Sequence, residues 1–70
     1  MLLINESLGK NIAHHRKSLK LSKAKLAAIA GMEANHLWCI ESGLKYPQIC
    51  ILARLAAALG VSIDELVGRS

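Results

Sequence analysis

Phenylalanine is absent, and tryptophan, tyrosine and proline occur once each. A core of stacked rings is thereby excluded, and the apolar 53% of the chain must pack through Leu, Ile, Val and Ala, a palette that suits helices in close contact. Cysteine is scarce as well. Cys39 and Cys50 make neither a disulfide framework nor a CxxC metal knuckle, and no signal peptide is expected ahead of the domain, so a reducing cytoplasm is the expected setting. Long apolar runs are missing too. The longest stretch, residues 49–59, is broken by Arg54 and falls far short of the ~20 residues that span a bilayer, which excludes a transmembrane helix there. No repeat or low-complexity segment occurs, and nothing alternates with a period of two, so strands are not expected.

Negative charge is the last scarcity. Five acidic residues face nine basic ones, a formal net charge of +4. Between Lys10 and Arg54 the basic residues are Lys10, Arg16, Lys17, Lys20, Lys23, Lys25, Lys45 and Arg54, against only Glu33 and Glu41. A cationic middle of this kind calls for an anionic partner: a nucleic acid, an acidic protein or a membrane surface. The 70 residues make a single domain, 1–70, and a chain this short buries only about 60% of its unfolded surface.

Helical spacing organises what is present. From Asn5, a candidate N-cap, to about Lys20, the residues Leu8, Ile12 and Leu19 recur on one face while Lys10, Lys17 and Lys20 fall on others. Ser22 caps a second helix over 23–30 that Gly31 ends. A third covers 33–41 with Leu37 and Ile40 inward and Ala34, Asn35, Trp38 and Cys39 on or near the other face, closed by Ser42 and Gly43. The segment 44–47 is a loop. Pro47 precedes a fourth helix whose inward residues read as Ile49, Leu52, Ala53, Ala56 and Leu59, and which Gly60 stops. Ser62 and Glu65 form a capping box opening a short fifth helix, with Ile63, Leu66 and Val67 packing back. The expectation is an all-α five-helix globule.

Helices 2 and 3 are parted by only a Gly-containing turn, the spacing of a helix-turn-helix. Such a joint needs a small residue about four positions before the turn, met by Ala27, and a turn residue tolerant of positive φ, met by Gly31. Leu37 and Ile40 anchor the third helix. Any compact helical hairpin satisfies the same pattern, so the spacing alone leaves both readings open.

The ordered set Leu8-Gly9, Ile12, Arg16, Leu21-Ser22-Lys23, Leu26-Ala27, Gly31-Met32, Leu37, Ile40-Glu41-Ser42-Gly43, Pro47, Leu52, Leu55-Ala56, Leu59-Gly60-Val61-Ser62 and Asp64-Glu65-Leu66 resembles the lambda-repressor and Cro-like (XRE-type) helix-turn-helix family across residues 8–67. The resemblance implies a DNA-binding transcriptional regulator, a repressor, that reads the major groove with 33–41 as a homodimer on double-stranded DNA in the cytoplasm, at the nucleoid. It implies an ion pair of Arg16 with Glu41 that positions the third helix. Ser22, Lys23, Lys25, Lys45, Tyr46 and Gln48 are then the expected phosphate contacts, and Glu33, Ala34, Asn35, Trp38 and Cys39 the expected base contacts. Among these, Asn35 suits adenine N6 and N7, Glu33 the amino group of cytosine, and Ala34 a thymine methyl.

Three departures from that family are visible. Lys23 replaces the usual Gln at the start of helix 2, trading a directional group for a point charge. Trp38 stands where Ser or Thr is common, either packing on sugars and thymine methyls or marking a protein contact that excludes DNA. Ile29 and Ala30 reverse the usual polar-then-apolar order, which predicts shifted packing there. A protein-interaction module, an antirepressor or adaptor using Trp38, Ile29 and Cys39, is the rival reading. For dimerisation the candidates are helix 5 with Val61, Ile63 and Val67.

No enzyme is expected, and no cofactor or small-molecule substrate. His36 and Cys39 at i, i+3 could pinch one ion, but zinc needs three or four ligands and the pattern brings no other, His14 and His15 included. A Cys-His pair without an orienting carboxylate or a pocket is likewise weak ground for nucleophilic catalysis.

Overall fold

The computed structural model describes the backbone of residues 4–67 and side chains from Ser7 onward. Five helices follow in order: α1 (Ile4–Ser18), α2 (Lys23–Ala30), α3 (Ala34–Glu41), α4 (Ile49–Leu59) and α5 (Ile63–Leu66). No strand occurs among the described residues. α1 packs against α3, α4 and α5, and α2 lies between α3 and α4. The core they enclose is aliphatic, built from Leu8, Ile12, Leu26, Leu37, Ile40, Leu52, Leu55, Leu59 and Leu66 together with Ala27, Ala30 and Ala56. Each large aliphatic side chain buried in this way stabilises the fold by about 1.5–3 kcal/mol.

The end of α1 differs from expectation. The helix stops at Ser18, and Lys20 takes a left-handed φ of 59°. The amides of Lys20 and Leu21 donate back to the carbonyls of Lys17 and Arg16, at 2.9 and 3.1 Å. That reversal swings Leu19 out of the apolar row, leaving it 51% exposed, and brings Leu21 against the core in its place. Asn5, expected as the cap, lies within α1; its side chain is outside the described residues.

α2 obeys its sequence signals at both ends. The Ser22 hydroxyl accepts the Lys25 amide at 3.0 Å, and Gly31, at φ 72°, lets its own amide and that of Met32 donate to Ala28 and Ala27. A residue with a Cβ pays strain at that φ; glycine does not. α4 corrects the sequence reading in two places. Ile49 is 70% exposed and Ala53 is exposed, while Leu55 is fully buried. Ten of the eleven residues of α4 are apolar, so its pattern has little polar contrast to mark the inner face. α5 carries the expected capping box: Ser62 Oγ accepts the Glu65 amide at 3.1 Å and Glu65 Oε1 accepts the Ser62 amide at 3.0 Å.

Candidate nucleic-acid interface

α3 is gripped along one side and at its C-terminal end. Leu37 and Ile40 are fully buried. At the crossing of α1 over α3, Gly9 lies so close that a Cβ there would sit 2.5 Å from the carbonyl oxygens of both Ile40 and Glu41. No real side chain fits that space without moving the backbone. Beside it the guanidinium of Arg16 meets the Glu41 carboxylate in a two-pronged pair, Nε to Oε2 at 2.8 Å and Nη2 to Oε1 at 3.1 Å. Both side chains are more than nine-tenths buried. Arg16 Nη1 also donates to the Leu21 carbonyl at 2.8 Å, so one guanidinium joins α1, the turn into α2 and the end of α3. Fork-to-fork geometry of this kind fixes orientation as well as charge.

The opposite side of α3 faces outward. Glu33, Ala34, Asn35 and Trp38 are all exposed, and Trp38 retains 46% of its surface. Glu33 is the N-cap, but its side chain makes no capping bond. Cys39 is only half-exposed, and its carbonyl accepts the amides of Leu44 and Lys45 at 2.9 and 3.3 Å, anchoring the loop that follows. Among the expected phosphate contacts, Ser22, Lys25, Lys45, Tyr46 and Gln48 are exposed and Lys23 is half-buried.

The helix N-termini differ in charge. α2, α3 and α4 have no acidic residue in the first turn, whereas α5 has Asp64 and Glu65. Free amides and the aligned peptide dipoles make a helix N-terminus favourable for anions. At α2 and α4 no carboxylate of the helix itself fills that role.

The reversed order at the end of α2 puts Ala30 in the core and Ile29 outside at 52% exposure. Ile29 borders a shallow depression between α2 and α4 lined by Ala30, Gly31, Arg54, Ala57 and Ala58, in which Arg54 is the sole ionisable group. Val61, Ile63 and Val67 pack against the core and are half-buried, so they offer less apolar surface for a partner than their sequence suggests. Sequence reasoning missed the tether of Asn11, whose Nδ2 donates to the Leu66 carbonyl at 2.9 Å. It also missed the role of Gly9, for which a glycine inside a helical pattern was the available signal.

This fold and this clamped, outward-facing third helix define a helix-turn-helix domain. The family model of that domain matches residues 7–67, and the chain belongs to the family. Among relatives, it is 37% identical over 60 residues to the uncharacterized HTH-type transcriptional regulator y4dJ of Sinorhizobium fredii, covering 86% of this chain and 78% of that protein. It is 36% identical over 58 residues to the cryptic phage CTXphi transcriptional repressor RstR of Vibrio cholerae, covering 83% of this chain and 52% of RstR. The N-terminal DNA-binding domain of SinR from Bacillus subtilis superposes with a TM-score of 0.86 at 32% identity, over 93% of this chain and 96% of that one. SinR in complex with DNA gives 0.81 at 35% identity, over 84% and 95%.

Proposed function

We propose that this domain binds double-stranded DNA at specific sequences and regulates transcription, as a repressor, with α3 seated in the major groove. The observation that carries the reading is the division of α3 between a clamped inner side and an outward side bearing Ala34, Asn35 and Trp38. On either side of α3 in the chain stand the exposed cations Lys25 and Lys45 and the acid-free N-termini of α2 and α4. Phosphates meet these flanks and set register; bases meet the outward side. Support also comes from RstR, named a transcriptional repressor, and from SinR, solved on DNA. The working form is a homodimer on a pseudo-palindromic operator in the cytoplasm, its recognition helices about 34–36 Å apart in successive grooves. No catalytic role is proposed.

The test is a salt titration of binding to duplex DNA. Affinity is expected to fall steeply with salt, and Lys45→Ala to flatten the logarithmic slope by about one counterion. Absence of duplex binding at low salt sinks the reading. It would favour instead a protein partner for the exposed Trp38 ring, although Ile29 borders the α2–α4 depression and Cys39 is half-covered.

A further inference from the structure

We infer that the outward side of α3 selects half-sites with an A·T core, reading thymine methyl groups through Ala34 and Trp38 and one adenine through Asn35, and leaving guanine unread. The inference rests on α3 being the helix that enters the groove. It follows from which side chains α3 presents and which it lacks.

Within α3 the one charged residue is Glu41, and its carboxylate is spent on Arg16. The helix and its N-cap hold no Arg and no Lys, and those are the side chains that take guanine by its O6 and N7. The lysines of the region stand on α2 and in the loop after α3, where they flank the helix. Within α3 and its N-cap the fully exposed hydrogen-bonding side chains are the Asn35 carboxamide and the Glu33 carboxylate; His36 and Cys39 are half-buried, and the exposed Ser42 stands at the far, C-terminal cap. A carboxamide matches the donor–acceptor pair of adenine. A carboxylate in a groove walled by phosphates is tolerable only where it accepts a hydrogen bond, and the amino group of cytosine supplies one. This limits the G·C content read by α3 to a cytosine beneath Glu33, at the N-terminal end of the helix.

The remainder of the outward side is apolar. Ala34 and Trp38 stand four residues apart, hence one above the other on the same face of the helix. Trp38 keeps 46% of its surface exposed, with Ala34 exposed beside it. In the major groove of unmodified DNA the base edges offer one apolar group, the C5 methyl of thymine. An apolar pair on the groove-facing side therefore finds a match only where thymines lie beneath it. Elsewhere it covers polar edges without replacing their hydrogen bonds to water, which disfavours those sequences.

The experiment uses the full chain and proceeds in two stages. Bound duplexes are selected from a random pool, and the best of them is resynthesised with single thymines replaced by deoxyuridine, which removes only the methyl group. Expected are half-sites with an A·T core and an affinity loss of about fourfold per contacted methyl. Trp38→Ala is expected to bind thymine and deoxyuridine alike at its position. Asn35→Ala is expected to lose about tenfold discrimination at one adenine. Selected sites rich in guanine within the core, or deoxyuridine duplexes binding within experimental error of the parent, would overturn the A·T code while leaving DNA binding itself standing. Failure to bind any duplex would overturn both.

Discussion

The N-terminus of α5 closes on itself, while those of α3 and α4 do not. Ser62 and Glu65 exchange bonds with each other's amides, and Asp64 adds a second acid to that first turn. Glu33 and Gln48, the corresponding caps of α3 and α4, make no side-chain capping bond, and no acid follows either of them in its first turn. A helix end that satisfies its own amides gains stability; one that leaves them open keeps capacity for an external anion. The difference teaches where stability was placed and where it was withheld. α5 and the α1–α3 crossing hold the domain together, and the open ends belong to α3, which presents Asn35 and Trp38, and to α4, which follows it.

Substitutions on the two sides should therefore fail in different ways. The largest effect is expected from Glu41→Ala, which strands the buried Arg16 guanidinium and costs about 3–5 kcal/mol in chemical denaturation. An Arg16→Met, Glu41→Leu double variant should recover much of that stability yet bind DNA less tightly, since the pair's role is to aim α3; full recovery of binding would sink the positioning role. Next comes Gly9→Ala, expected to cost about 1–3 kcal/mol because the added methyl meets two backbone carbonyls that cannot rotate away. Ser62→Ala should cost about 1 kcal/mol and leave DNA affinity unchanged. Gln48→Asp inverts that outcome: a thermal melt should show a gain of about 0.5–1 kcal/mol, while duplex affinity falls because a carboxylate now faces phosphate. If Gln48→Asp binds DNA as tightly as the parent, the α4 end is not a phosphate contact and the contrast with α5 loses its functional meaning.

Much of this architecture is legible in the sequence. α2 was bounded by Ser22 and Gly31, and α5 by its capping box, because those residue types act through local chemistry that the sequence states outright. The end of α1 was not legible, since Lys20 adopts a left-handed conformation that its residue type disfavours by roughly 1 kcal/mol or more, and tertiary packing of Leu21 outweighs that strain. The inner side of α4 was misjudged at Ile49 and Ala53 for a different reason: a helix apolar nearly all round gives periodicity no contrast to detect. At the candidate interface, the outward set of Glu33, Ala34, Asn35 and Trp38 followed from spacing once Leu37 and Ile40 were fixed inward. The degree of cover on Lys23 and Cys39 did not, because partial burial depends on neighbours far away in the chain.

Because Leu37, Ile40 and Glu41 do the anchoring while Ala34, Asn35 and Trp38 are exposed and stand outside the buried core, the two jobs of α3 can change independently. Exchanging those three outer side chains rewrites what the helix would recognise and leaves the scaffold's folding untouched. A lineage built on this plan can drift to new targets by a handful of codon changes, without passing through an unfolded ancestor.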